Sequence, residues 1–175
     1  MTIAERLGSI SVASALESTK KVEFSSFWQA VKLSCLKPAL DEKNVRLIAV
    51  GFDTGNLQNF LDGKFFKGEL FLDPEKASYK ALDFEVQNKV SGMANALSST
   101  GRGLASEASK LKIASDFKGD GWQKGGLLLL EKNGDVLHSW TQKNLTDNPD
   151  YDAIKTILDL NPKLIVDSDK WQSMS

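Results

Sequence analysis

A chain of 175 residues is the size of one domain, with 41% hydrophobic residues to build a core and 26% charged residues to cover it. A formal net charge of −1 excludes a general nucleic-acid binder, which needs a basic footprint. One cysteine excludes an internal disulfide and a cysteine-based metal cluster, and one histidine removes His-Cys and multi-histidine sites, while single-histidine or carboxylate chemistry stays open.

No apolar run approaches the roughly 18 residues of a membrane helix; the longest, 125–130, is strand-sized. Residues 1–18 mix charges and hold no apolar core, so they do not read as a secretory signal. Thr2 with Glu5 three residues on predicts a short capped helix over 2–7. Residues 9–12 and 21–24 alternate apolar and polar around a Ser/Thr-rich 13–20, which predicts a β-hairpin with a long loop. Ser25 and Ser26 are N-cap types for a helix from about 27 to 36, reaching toward 42, with Phe27, Val31, Ser34 and Cys35 on one face.

Residues 46–52 are nearly all apolar, the pattern of a central, parallel strand buried on both faces. A short helix is expected over 57–61, Phe65 and Phe66 in a loop or strand entry, and a strand over 70–72. Asp73 then caps a helix with Pro74 at its first position, turning Ala77, Tyr79 and Leu82 inward.

Residues 86–113 have a different texture, with Gly92, Gly101, Gly103, many Ala and Ser, and scattered Met93, Leu97, Leu104 and Leu111. Two helices broken near 101–103 fit this best, either as a surface pair packed on the domain or as a docking surface for a partner. Asn133-Gly134 between 125–131 and 135–140 predicts a hairpin with a type I′ turn. Asn148-Pro149-Asp150 leads into a last helix over 151–160 that buries Ile154, Ile157 and Leu158. A short apolar stretch at 164–166 precedes a tail, 167–175, in which Trp171 is expected to dock. The organisation is then an N-terminal segment and hairpin (1–24), one domain (25–166) with a helical insert (86–113), and the tail, with no internal repeat.

Residues 36–84 carry Leu36-Lys37-Pro38, Leu40-Asp41, Val45, Leu47, Val50-Gly51, Phe66, Gly68, Leu70-Phe71, Asp73-Pro74, Tyr79 and Leu82. A second block holds Gly119-Asp120, Trp122-Gln123 and Gly125-Gly126. In order and spacing these resemble the AhpC/TSA-like, peroxiredoxin-like proteins, relatives of prostamide/prostaglandin F synthase with plant and algal chloroplast members. The resemblance implies an α/β fold, a thioredoxin-like sheet flanked by helices. It also implies a Cys-x-x-Cys motif at the start of the first long helix. Counting back from Leu36 without a gap puts that motif at 23–26, which reads Glu-Phe-Ser-Ser. Matching the N-terminal hairpin through Phe27-Trp28 instead deletes the redox strand and motif outright, and this alignment is preferred. The sheet is then expected either to lack its usual first central strand or to recruit 21–24 in its place.

Cys35, the only thiol, lies late in its helix, where the dipole is negative and disfavours a thiolate. Its default role is a small buried apolar residue; its functional role would be the nucleophile of a one-cysteine oxidoreductase. Of the arginines such a site would need nearby, Arg6, Arg46 and Arg102 form no local motif with it. His138 shares a strand face with Val136 and Trp140, as a hydrogen-bonded or half-exposed strand histidine or a single axial ligand to a pigment or haem. Trp122 and Gln123 fall where the resemblance puts a loop beside the active site, so they are turn and core residues or a remnant of a partner surface. The candidate interaction residues are therefore Trp122, Gln123, Met93, Leu97, Leu104 and Trp171.

The expectation from sequence is a non-catalytic peroxiredoxin-like domain, without cofactor or metal, serving as a subunit of a larger protein assembly. A plastid photosynthetic complex is favoured by the resemblance to plastid members, with peripheral membrane association through the assembly. The alternatives are a one-cysteine thiol oxidoreductase using Cys35 and a small-ligand or pigment-binding module using the groove left by a missing strand, with His138 as its one candidate ligand.

Overall fold

The computed structural model describes residues 13–14, 24–52, 57–88, 94, 97–99, 101–103, 106, 122–144, 146–164 and 166. In chain order its elements are β1 (Ala13–Ser14), α1 (Phe24–Ser34), α2 (Lys37–Glu42), β2 (Ile48–Gly51), α3 (Leu57–Asp62), β3 (Glu69–Leu72), α4 (Ala77–Ala81), β4 (Gly126–Leu130), β5 (Val136–Thr141) and α5 (Tyr151–Ile157). Helices and small sheets alternate as a thioredoxin-like α/β fold requires.

The first departure from the sequence expectation is at the N-terminus. The Ser/Thr-rich stretch assigned to a hairpin loop contains β1, which pairs antiparallel with β3 (Ala13 with Leu72, Ser14 with Phe71). Phe24, expected to end a strand, instead starts α1, so 24–28 are helical and are not the end of a hairpin. The expected helix at 2–7 and strands 9–12 and 21–23 lie outside the described residues. Ser25 and Ser26 sit in the first turn of α1, where the ungapped count places the end of the redox motif.

The long helix is broken in two. α1 stops at Ser34, the chain turns through Cys35 and Leu36, and α2 restarts with Pro38 in its first positions. Proline has no N–H to continue the ladder and clashes with the preceding turn, which accounts for the break. The Ser34 hydroxyl closes the joint, donating to the Ala30 carbonyl at 2.7 Å and accepting from the Lys67 N–H at 3.0 Å.

β2 and β3 pair in parallel, Ile48 with Glu69 through Gly51 with Leu72, as the apolar runs predict. The expectation of a central strand buried on both faces fails: Ile48 is 46% exposed, and among the described residues β2 ends a three-stranded sheet of order β1-β3-β2. β4 and β5 form a separate two-stranded sheet, and no described strand joins the two. Leu36, Leu40, Ile154 and Leu160 make one core cluster, with Leu47 and Leu127 bringing both sheets against it. Leu57 and Leu72, with Leu61 and Leu70, make a second where α3 covers β3. Gly68 is required where the chain enters β3, because a Cβ there would run into the Leu47 carbonyl and the Phe66 ring.

α4 begins later than expected. Lys76, in the left-handed region at φ 53°, is its N-cap, and the buried Asp73 carboxylate caps from a distance. The hairpin is present, but its turn differs from type I′. Only Gly134 has positive φ (92°), the Gly134 N–H bonds the Glu131 carbonyl at 2.9 Å, and a bulge shifts the register at Leu129/Leu130. That is a turn followed by a left-handed glycine, the geometry of a longer hairpin loop. The break expected near 101–103 falls a few residues earlier: Ser98 is a bend between helical Leu97 and Ser99, its hydroxyl accepts from the Gly101 N–H at 3.1 Å, and 101–103 themselves are helical.

α5 is shorter than expected and leaves Ile157 40% exposed. Its Asp150 N-cap accepts from the N–H groups of Asp152 and Ala153. Lys155, buried, donates to the Pro162 and Leu164 carbonyls, which ties the following chain down onto the core cluster.

Surface ion pairs set the acid response. Arg46 holds Glu69, Lys124 holds Glu85 and Lys43 holds Asp159 below their ordinary values, 4.5, 4.5 and 3.8, chiefly through the side-chain hydrogen bond of each pair. A carboxylate lowered on folding stabilises above its unfolded value, and this is lost as the pH falls through its folded value. Urea unfolding is therefore expected to give a lower midpoint at about pH 3 than at about pH 6. Glu69→Gln should shrink that difference, and the effect should weaken in salt because all three carboxylates lie in water.

Candidate functional site

β2 and β3 run in parallel and end together at Gly51 and Leu72, and in open α/β sheets this carboxyl edge is where ligands collect. Three aromatic rings line it. Phe52 meets Tyr79 edge-on with centroids 5.1 Å apart, and Tyr79 meets Phe84 edge-on at 5.7 Å. Phe84 in turn lies against Gly126 at the start of β4, where a Cβ would approach its ring to 2.5 Å. The rings thus bridge the end of one sheet to the beginning of the other.

The bridge also satisfies backbone. Glu69 N–H to the Leu47 carbonyl and Asp73 N–H to the Gly51 carbonyl point alternate residues of β2 at β3. By alternation the Val50 carbonyl faces the other edge of β2, and there it accepts the Tyr79 hydroxyl at 3.0 Å.

Lys76 and Gln123 complete the polar side of this edge. The Lys76 ammonium stands 4.2 Å from the centre of the Phe52 ring and donates to Gln123 Oε1 at 3.3 Å. Gln123 Nε2 donates to the carbonyls of Phe84 (3.0 Å), Glu85 (3.3 Å) and Lys124 (3.1 Å). The main chain is stitched alongside, with Gln87 N–H to the Trp122 carbonyl at 2.6 Å and Lys124 N–H to the Glu85 carbonyl at 3.1 Å. The edge therefore offers an ammonium and aromatic surface, groups suited to holding a carbonyl or anionic group rather than to nucleophilic attack.

Cys35 is at the opposite end. The bond from Lys67 to Ser34 places the C-terminus of α1 beside the amino end of β3, and Cys35 follows Ser34 directly. The thiol is 3% exposed and donates to the Val31 carbonyl at 3.5 Å. Beside it, burial and then the charge of Cys35 push the Tyr151 phenol upward, and the Tyr151 hydroxyl is buried without a hydrogen-bond partner.

Of the other residues singled out by sequence, Gln123 is buried in the clamp and Trp122 is half-buried beside it. Leu97 is 71% exposed; Met93, Leu104 and Trp171 lie outside the described residues. His138 is half-buried, on the same side of β5 as Trp140, with its Nε2 buried and unpartnered. Sequence reasoning missed Lys76 and Phe84. The partners that give Lys76 its role, Phe52 and Gln123, are 24 and 47 positions away, and Phe84, though five positions from Tyr79, gains its bridging place only from Gln123 and Gly126, far along the chain.

Comparison with known proteins agrees with this architecture. The family model for the AhpC/TSA antioxidant enzyme matches residues 32–144. The chain belongs to the AhpC/TSA family. It is 40% identical over 133 residues to the prostamide/prostaglandin F synthase of Aquarana catesbeiana, covering 75% of this chain and 66% of that one. It is 40% identical over 138 residues to the synthase of Bos taurus (78% and 69%), and 39% to that of Homo sapiens (78% and 70%). The match thus spans about two thirds of the length of these curated relatives. No solved structure matches the chain. In this AhpC/TSA chain the matched region covers both the aromatic edge and the Gln123 clamp.

Proposed function

We propose that this AhpC/TSA chain is a non-catalytic binding domain whose working end is the carboxyl edge formed by Phe52, Lys76, Tyr79 and Gln123. The observation that carries the reading is the position of the only thiol. Cys35 is buried, bonded to the Val31 carbonyl, and at the wrong end of the sheet for that edge. Thiol redox chemistry needs an accessible thiolate. The domain then serves as an interaction subunit of a larger assembly, and we extend the proposal to a plastid complex.

The relatives are named as synthases, so the opposing reading is an enzyme. It requires Cys35 to react in the native fold. Iodoacetamide at neutral pH is expected to leave Cys35 unlabelled in the native protein and to label it in urea. Reduction of hydrogen peroxide, supplied with dithiothreitol, should be no faster than buffer and unchanged by Cys35→Ala. Native labelling, or turnover lost in Cys35→Ala, would sink the proposal. Migration with a larger plastid complex on a native gel is the corresponding test of the assembly.

A second reading rests on the buried, unpartnered Nε2 of His138, which is free to ligate a pigment. It requires a visible absorption band in the protein purified from its source, lost in His138→Ala.

A further inference from the structure

β2 and β4 each have an open edge. The carbonyls of Leu47 and Gly51 accept from the N–H groups of Glu69 and Asp73, so Ile48 and Val50 turn their main chain away from β3. On β4 the Gly125 carbonyl accepts from the Gln142 N–H, so Gly125, Leu127 and Leu129 bond toward β5 and Leu128, ahead of the bulge, turns its main chain outward. The two open edges face each other. Leu47 and Leu127 pack on one core cluster, and the Tyr79–Phe84 ring pair runs from the outward Val50 carbonyl to Gly126. These two rings, with centroids 5.7 Å apart, hold the edges further apart than the about 4.8 Å of a ladder. Below the rings, the N–H and carbonyl groups of Ile48 and Leu128 have no hydrogen-bond partner among the described residues.

The gap between these edges is apolar on both faces, with Leu47 and Leu127 on one side and Ile48 and Leu128 on the other. A strand that fills such a place needs a near-continuous apolar run. The chain has none to spare. It enters β1 on the far side of β3, and the residues leading from β1 into α1 end in Lys20-Lys21-Val22-Glu23. No segment outside the described residues holds five consecutive apolar residues. The apolar runs at 47–50 and 127–130 already belong to β2 and β4, so a second copy of the chain has none to give either.

We propose that the gap is a docking slot for an extended strand of another protein, about five uncharged and mostly β-branched residues long. The strand pairs with Ile48 on one side and Leu128 on the other and ends beneath Tyr79, whose hydroxyl already holds the Val50 carbonyl. The two sheets then become one, of order β1-β3-β2-partner-β4-β5. Alternate side chains of the incoming strand cover Leu47 and Leu127, and the others lie beside Ile48, which is 46% exposed without them. A segment of this length, paired on both edges, buries on the order of 1,000 Å² in total, the low end of specific interfaces. The slot lies beneath the carboxyl edge and shares only Tyr79 and Val50 with it, so the proposal does not rest on the function given to that edge or on the state of Cys35.

The probe is a fluorescein-labelled peptide, Lys-Thr-Val-Ile-Val-Thr-Lys, whose lysines keep it soluble. Titrated with the full chain, its anisotropy should rise with a dissociation constant on the order of 10 µM. The same peptide with aspartate in place of its two valines should not bind. Ile48→Pro and Leu128→Pro each remove one outward N–H without touching the ladders to β3 and β5, and each should weaken binding by at least about tenfold. Circular dichroism checks that both are folded. Amide exchange of the unaltered chain, followed by NMR, gives a second measurement. The Ile48 and Leu128 amides should exchange fast in the free chain and at least about tenfold slower with the peptide, while the outward Ser139 amide of β5 stays fast. Slow exchange at Ile48 and Leu128 in the free chain overturns the proposal, because a segment of the chain itself then fills the gap. So do a peptide that fails to bind at about 500 µM chain, binding indifferent to both prolines, and protection that falls on β5 instead.

Discussion

Leu72→Ala is expected to destabilise the chain by about 3–4 kcal/mol and to lower its melting temperature by about 10 °C. Leu72 is fully buried at the end of β3 and packs with Leu57 and the half-buried Leu61 and Leu70. It is also the residue whose backbone pairs with Gly51 on one side and Ala13 on the other. Truncation removes its transfer free energy and leaves a cavity that strands paired on both sides relax little to fill. Leu97→Ala, at a position 71% exposed, is the control and should change stability by no more than about 0.5 kcal/mol. Urea melts of the two variants, read by circular dichroism, make the comparison. A loss below about 1 kcal/mol for Leu72→Ala would mean that α3 does not seal β3.

Asp73→Ala is the second large effect, at about 3 kcal/mol. The Asp73 carboxylate is buried and accepts three hydrogen bonds, from the Ala77 N–H (3.0 Å), the Ser78 N–H (2.7 Å) and the Ser78 hydroxyl (2.5 Å). Alanine leaves these donors without an acceptor in a site too closed for water to replace it freely. Asp73→Asn keeps one acceptor oxygen and should lose less. Ser78→Ala removes one donor and should cost about 1 kcal/mol, and it should cost less still in the Asp73→Ala background, because the two share one network. Full additivity would show that Asp73 and Ser78 act independently.

The contrast between these two residues and Lys76 tells what a reader of the sequence can see. Leu72 belongs to an apolar run before Asp-Pro, and Asp73 is a capping residue by type, so both are predicted from near neighbours. Asp73 nevertheless caps from further away than expected, because Lys76 takes a left-handed conformation that Asp-Pro-Glu does not announce. Lys76 itself reads as one surface lysine among many. Its place over Phe52 and against Gln123 exists only once α4 lies across the end of β2.

The N-terminal third shows the same division. Alternation at 21–24 was the evidence for a strand, yet α1 starts at Phe24. Four residues of alternating character also fit the entry to a helix, and a short window does not hold enough turns to separate period 2 from period 3.6. β1 was invisible, because two residues in a Ser/Thr-rich stretch carry no periodicity and are defined by their pairing with β3.

By itself the sequence determined the alternation of strands and helices from 36 to 84, the parallel relation of β2 and β3, the hairpin of β4 and β5, and the family. All of these are written in the local order of apolar, turn and capping residues, which acts over a few positions. Only the tertiary structure decided that β2 has an exposed face, that the two sheets are joined by aromatic rings, and that Cys35 lies at the far end from the carboxyl edge. These depend on which distant segments become neighbours when the core closes, and burial and partnership are properties of the packed chain rather than of any stretch of it.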